Sequence, residues 1–536
     1  MKMNDVMAKN IKTRLHNKKG RSQIEFIIEG FLIGIVAGLV AIIYRLLLTK
    51  AEKFLFFAVD YIHGDVVKII LWMLFLTVLA IIVGKLVKWE PMISGSGIPQ
   101  VSGEMKGYLS QNPVKVIIAK IIGGTLSIVG GLSLGREGPS IQLGAMAGKK
   151  LAQVQKKGKT KEKTYISCGA GAGLAAAFNA PLAGVMFTLE EIHKNFDGRV
   201  IVSVMTAAVT ADFLAKSVFG LSTVFQYNSS TPIPLTLYGL VIILGIIVGV
   251  SGAFYNKFMV KGQKLYAKLK MIKPEYRIII PFLTAGVFAL VYPKVLAGGS
   301  VMVDILVKNN FVLSTLLTML IIKFLYSVIC FGSGAPGGIF YPLLVLGSFI
   351  GASFGIVCIS SLGVNDIFMD KFIILAMAGF FAATVRAPIT GIILIAEMTG
   401  SLEHMISISL VSVVAYVVAY LCKSEPIYSS LLEGILEKQG TKLADPSDET
   451  MLITYNVTFD SEVDNKKLNE IEWPHNCLVV AIERGHHEFI PRGYNRIKAG
   501  DFITVLINEG EMDYMNEILT EMCCDKKKKY IDNKNT

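Results

Sequence analysis

Charge is the scarcest commodity in this chain. Only 18% of its 536 residues are Asp, Glu, Lys or Arg, while 53% are hydrophobic and the mean hydropathy is +0.55. A soluble globular chain carries about 25% charged residues, so an ordinary soluble protein is excluded as the bulk of the molecule. Histidine is sparse as well: the seven present form no His-Glu-x-x-His spacing, and no Gly-x-Ser-x-Gly elbow occurs, which argues against a membrane-embedded enzyme. Of seven cysteines, none shows paired metal-ligand spacing, and Cys168, Cys330, Cys358 and Cys422 lie in apolar runs where they read as small core residues. No metal and no cofactor is expected. The basic runs lack interleaved aromatics, so nucleic acid is not the expected partner. No small-residue cleavage pattern follows the first apolar segment, so no removable leader is expected.

Long apolar runs are abundant. Phe26 to Leu48, Val67 to Val87, Leu235 to Val250, Ile278 to Val291, Phe311 to Phe331 and Ile406 to Leu421 approach or reach the length of about 20 residues that crosses a bilayer. An all-α polytopic membrane protein is the expected class. Its 50 glycines predict interrupted helices, which are tolerated at membrane depth where they are buried in protein or line a polar cavity, and that suggests a solute pathway. The net charge of +12 is concentrated: seven Lys or Arg between Lys2 and Arg21 face one acid, and seven Lys between Lys149 and Lys163 face one. Positive-inside bias places both segments in the cytoplasm. From Thr441 the composition turns soluble. Strands are expected at Leu452 to Val457, Cys477 to Ile482 and Phe502 to Leu506, with helices at Val463 to Ile471 and Glu511 to Met522: a small cytoplasmic α+β domain. The divisions read as a basic segment 1–24, a membrane domain 25–437, a domain 441–525 and a basic tail 526–536 whose Lys526 to Lys529 run suits anionic lipid.

Against this apolar background, Gly135-Arg136-Glu137-Gly138-Pro139 stands out. Glycines suit an irregular loop, and Pro139 suits the first position of a helix running through Gly144. Unpaired N–H groups at such a start attract anions, so Glu137 sits where an anion would sit and can act as a tethered one, leaving when protonated or displaced. An ordinary helix-dipole contact fits the same residues, although an ionisable group inside a membrane segment is functional by default. Ser94-Gly95-Ser96-Gly97-Ile98-Pro99 and Gly332-Ser333-Gly334-Ala335-Pro336-Gly337-Gly338-Ile339-Phe340 are of the same type. None of the three contains Lys, which favours a weakly held, passing anion; close packing and kinks are the plainer use of such stretches.

An internal repeat is also visible. Pro139 placed on Pro342 matches Gly144 to Gly347 and Gly148 to Gly351; Pro181 placed on Pro388 matches Gly184 to Gly391 and Glu190 to Glu397. The offsets, 203 and 207, differ by four residues, so two related halves are expected, at about 80–215 and 275–420, with the binding site where their broken helices meet. Glu190 and Glu191 point about 100° apart on a helix. A helix-end cluster beside Lys194 fits them, as does a proton entry point; Glu397 is equally open.

The three glycine-rich motifs, in this order, resemble the signatures of the CLC chloride channels and transporters, and Tyr428 in Glu425-Pro426-Ile427-Tyr428-Ser429 resembles that family's late pore tyrosine. The resemblance implies an inverted-repeat bundle of broken helices and a homodimer with one pathway per subunit. It implies a chloride site made by the Ser96 and Tyr428 hydroxyls and the N–H groups of Ile339 and Phe340, with Arg136 and Gly138 beside it and Glu137 as gate. Glu191 matches the inward-facing glutamate of many antiporters in the family. Arg484-Gly485, Ile490-Pro491-Arg492-Gly493 and Ile497-Lys498-Ala499-Gly500-Asp501 resemble the TrkA-C (RCK-C) regulatory domain. Such domains pair and can bind a small ligand, often a nucleotide; a dimerising domain without a ligand fits too.

The expected function is chloride/proton antiport in a bacterial-type inner membrane, with both termini cytoplasmic. The alternative is a passive chloride channel. A sensing scaffold with a mere membrane anchor is disfavoured, since an anchor needs no repeat of broken helices.

Overall fold

The computed structural model describes the chain except for residues 1, 63, 195, 197, 222, 226–231, 309–311, 441–449, 486 and 525–536; for residues 2–23, 304, 307, 308, 509 and 513 it describes the backbone alone. The basic tail therefore lies outside the described residues. The chain divides into two compact units, Met1–Ile435 and Leu436–Thr536.

The first unit is all helical. Its helices are α1 (Lys2–Ile62), α2 (Val66–Trp89), α3 (Ile98–Lys106), α4 (Pro113–Val129), α5 (Glu137–Val154), α6 (Lys159–Phe178), α7 (Pro181–Phe187) and α8 (Gly198–Phe219). Then come α9 (Tyr238–Lys268), α10 (Ile279–Val291), α11 (Ser300–Lys308), α12 (Leu313–Gly332), α13 (Phe340–Leu362), α14 (Met369–Val385), α15 (Pro388–Thr399), α16 (Met405–Leu421) and α17 (Ile427–Lys438). Among the described residues eight helical segments are long and apolar enough to cross a membrane. Others, such as α3 and α7, are short pieces bounded by Gly or Pro.

The first eight helices and the next eight correspond one to one. In each half the first helix packs on the fourth, sixth and eighth, and the fifth on the sixth. Small residues allow the last contact: a side chain at Gly144 of α5 would strike the Gly169 carbonyl of α6, and one at Gly169 the Gly144 carbonyl. Three reciprocal contacts describe a local two-fold relation between halves. Gly135 and Gly338 exchange backbone hydrogen bonds of 2.6 and 2.7 Å. Glu397 accepts from Leu182 and Ala183 N–H at the head of α7, while Glu190 accepts from Ile389 and Thr390 N–H at the head of α15. Buried Lys120 donates to the Ile93 and Gly95 carbonyls, and buried Lys323 to those of Val295 and Ala297.

Where the membrane-spanning part of α1 begins, Glu25 and Glu29 pair with Lys161, and Glu29 also with Lys157. The start of the first span and the basic 149–163 segment thus share one side of the bundle.

The second unit is an antiparallel four-stranded sheet in the order β1-β4-β2-β3, of strands β1 (Thr450–Asn456), β2 (Leu478–Arg484), β3 (His487–Phe489) and β4 (Asp501–Asn508), with helix α18 (Met512–Cys523) over the core of Ile482, Ile503, Val505, Ile507 and Leu519. The expected helix at Val463 to Ile471 is not formed. Asn465 N–H donates to the Ile497 carbonyl, Leu468 N–H to Asn495 and Asn469 N–H to Gly493, so the segment's hydrogen bonds go to the neighbouring chain and leave one 3-10 turn, Leu468–Glu470. Arg484 holds the buried Asp501 carboxylate with two bonds of 2.7 Å, and this partner raises the guanidinium's affinity for its proton.

Candidate functional site

Helices α3, α5 and α13 begin without a side-chain cap. Their leading N–H groups are the ones a helix cannot satisfy internally. Both α5 and α13 start two residues before the proline expected to open them, so Pro139 and Pro342 fall within the first turn, where a missing N–H costs nothing. The Gly135–Gly338 bridge sets the two starts side by side; a side chain on Gly338 would approach the Gly138 N–H to 3.2 Å.

Glu137 is the first residue of α5 and is 0% exposed. Neither carboxylate oxygen has a hydrogen-bond partner among the described residues. The main-chain amides of Arg136, Glu137 and Tyr341 face it without closing to good geometry, and Arg136 Nε lies 3.7 Å from Oε1. A buried carboxylate held this way is costly, by at least 1–3 kcal/mol for an ordinary unsatisfied group, and calls for a reason beyond packing.

Ser96 and Gly138 touch: a side chain on Gly138 would collide with the Ser96 hydroxyl. That hydroxyl is buried and unpartnered, as is the Tyr428 hydroxyl on α17. The Tyr428 ring meets Phe187 edge-on at 6.3 Å, and Phe187 meets Phe340 at 6.2 Å, which ties α17 to the head of α13. Tyr428 lies within electrostatic reach of both Glu137 and Glu191. The structure thus groups Ser96, Arg136, Glu137, Gly138, Ile339 and Phe340 around the two helix heads, while Glu191 lies on a different element, with Tyr428 in electrostatic reach of both glutamates.

Glu191 sits in a π-helical turn, Thr188–His193, that continues α7 and packs against α3 and α6. Such turns often mark functional positions. The two adjacent acids have different surroundings. Glu190 reaches across the two-fold to cap α15, whereas Glu191 is buried, with Lys106 and Lys194 in electrostatic reach. Glu397 is the matching cap on α7.

The loop before Ser96 carries residues that the sequence reading missed. Its four consecutive carbonyls are each held from behind: Met92 by Gln142 Nε2 (2.8 Å), Ile93 and Gly95 by Lys120 Nζ (2.8 and 2.7 Å), and Ser94 by Gln100 Nε2 (2.7 Å). Carbonyls already occupied by donors are less free to face an anion at the Ser96 hydroxyl. A lysine is present after all, one layer behind the motif that lacks it. Among the described residues no group of three His, Cys, Asp or Glu side chains could hold a metal ion.

The family profile described as "Voltage gated chloride channel" matches residues 78–420, and the "TrkA-C domain" profile matches 452–520. The chain is 32% identical over 438 residues to the H(+)/Cl(-) exchange transporter ClcA of Vibrio cholerae serotype O1 (strain M66-2), covering 80% of this chain and 93% of that one. Among solved structures it superposes on a slow cyanobacterial Cl-/H+ antiporter with TM-score 0.73 and 29% identity, over 77% of this chain and 99% of that one. A eukaryotic CLC transporter, at 20% identity and TM-score 0.64 over 76% of this chain and 74% of that one, shares the fold.

Proposed function

The chain belongs to the voltage-gated chloride channel family, and from that premise we propose that it exchanges chloride for protons across the membrane. The observation that carries the reading is the Glu137 carboxylate, fully buried and without a closed hydrogen bond where the uncapped heads of α5 and α13 meet, its nearest cation Arg136 Nε 3.7 Å away. Chloride would be held by the Ser96 and Tyr428 hydroxyls and the N–H groups of Ile339 and Phe340, with Arg136 and Gly138 beside it. Dipoles and hydroxyls bind more loosely than full charges, which suits an ion that must leave. Glu137 competes as an anion of the same charge. Protonated, it loses its claim on the helix heads and the halide takes its place; deprotonated, it returns. Each exchange of the two anions therefore moves a proton.

Glu191 passes protons on the inner side, across the Tyr428 region that separates it from Glu137. The N-terminal segment and the 149–163 segment face the cytoplasm, as basic segments beside spans do. The C-terminal domain is cytoplasmic too. Two chains form a homodimer with a pathway each, and the C-terminal domain binds a small regulator of the nucleotide type.

Reversal potential in a planar bilayer tests the function. An exchanger's reversal potential shifts when a pH gradient is imposed at constant chloride, whereas a channel's follows chloride alone.

A further inference from the structure

We propose that Glu52 is the carboxylate through which Glu137 trades protons with the outer solution; the proposal rests on the exchange reading above. A cavity of about 60 Å³ is lined by Leu48 and Glu52 of α1, Arg136 and Glu137 at the head of α5, Gly298 and Ser300 at the head of α11, and Tyr341 of α13, among others. Leu48 and Glu52 are one helical turn apart and so share a face. Two carboxylates therefore line one cavity: Glu52 is half-buried and Glu137 fully buried. The cavity lies at the head of α5, and the other end of that helix leads into the basic segment assigned to the cytoplasm, so it lies on the outward side of Glu137.

Glu52 is held in place. The Ser300 hydroxyl donates to its Oε1 at 2.8 Å. The wall carrying Ser300 is fixed by Lys323, whose Nζ binds the Val295 and Ala297 carbonyls and lies within electrostatic reach of Glu52. Among the described residues, the charged and titratable groups that line the cavity with Glu52 or lie in its electrostatic reach are Arg136 and Glu137 from the loop and head of α5, Tyr341 from α13 and Lys323 from α12.

A negative side chain at the mouth of an anion pathway repels the ion it should admit, so a conduit for chloride alone gains nothing from Glu52. A proton carrier is served by it. A cavity admits a first water at about 10–15 Å³ of such space, and a water's share of the liquid is about 30 Å³, so this one has room for more than one. The step balances simply: the Glu52 acid gives its proton to a cavity water, that water gives one to the Glu137 carboxylate, and Glu52, now a carboxylate, takes a proton from hydronium in the outer solution, leaving water. One proton enters and no bond to carbon changes.

The test uses the full chain in right-side-out and inside-out vesicles, with chloride and proton movement followed together while pH is varied on one side at a time. Wild type is measured first: absence of chloride-driven proton movement there refutes the exchange reading itself. Given exchange, Glu52→Gln should slow coupled turnover about five- to tenfold and flatten its dependence on outer pH, leaving the dependence on inner pH in place, and Glu52→Asp should restore the outer profile. In a Glu137→Gln background, adding Glu52→Gln should not speed the chloride leak. A wild-type outer profile in Glu52→Gln overturns the proposal, as does a leak that rises severalfold in the double variant, since Glu52 would then be a barrier to chloride. Ser300→Ala keeps the carboxylate but removes its donor, and serves if Glu52→Gln folds poorly; an unshifted outer profile there also overturns it.

Discussion

Glu190 and Glu191 are neighbours in one π-helical turn, yet neutralising them should have opposite consequences. Glu190 accepts from Ile389 N–H at 3.3 Å, Thr390 N–H at 2.8 Å and the Thr390 hydroxyl at 2.8 Å, at the positive end of α15. A glutamine keeps one acceptor oxygen, so Glu190→Gln loses at least one charge-assisted bond, worth about 1.5–3 kcal/mol, and part of a dipole interaction worth about 0.3–1 kcal/mol. Destabilisation of about 2–3 kcal/mol follows. In detergent this should appear as a midpoint several degrees lower, with proton coupling intact in the protein that remains folded. By the two-fold relation, Glu397→Gln should cost a similar amount, since it caps Leu182 and Ala183 in the same way. Glu191→Gln keeps the size of a buried side chain and should shift the midpoint little, while proton movement stops and chloride flux continues. The assay pairs a thermal midpoint with simultaneous chloride and pH electrodes on liposomes. Loss of proton coupling in Glu190→Gln without loss of stability, or normal coupling in Glu191→Gln, would refute the division of labour.

Lys120→Met should leave the Ile93 carbonyl without its donor, while Gly337 N–H still holds that of Gly95; chloride affinity by titration calorimetry should fall on the order of tenfold, about the cost of one unsatisfied carbonyl, and unchanged affinity would remove Lys120 from the site's support. In the C-terminal domain, Asp501→Asn leaves Arg484 without its charged partner; because that guanidinium is partly exposed, a loss of about 2 kcal/mol is expected in the urea unfolding of residues 441–525, and an unchanged midpoint would mean the pair is ornamental.

The membrane fold was legible where backbone chemistry is written in residue type. Gly135 leaves room for the Glu137 carboxylate, which a side chain there would strike, Gly338 lets the two loops approach closely, and the prolines marked the helix heads within two residues. The correspondence of Glu190 with Glu397 was readable at offset 207, but its purpose was not, because each glutamate caps a helix in the opposite half, some 200 residues away. Lys120 lies in the apolar run Val116-Ile117-Ile118-Ala119-Lys120-Ile121-Ile122 with no local signal of its target; only tertiary packing brings it to the Ile93 and Gly95 carbonyls. Glu52 was likewise silent, one of several polar residues in Thr49-Lys50-Ala51-Glu52-Lys53 until Ser300 meets it and the cavity beside Glu137 forms. In the soluble domain, alternation located three strands, while β3 is only three residues long and the 463–471 segment satisfies its backbone through 493–497.

The most direct measurement is chloride and proton flux, recorded together, for Glu137→Gln in liposomes under an outward chloride gradient. If the buried carboxylate is both the halide's competitor and the proton's carrier, chloride should continue to leave at a rate indifferent to pH while proton movement disappears. Proton uptake that persists in proportion to chloride efflux would contradict the account.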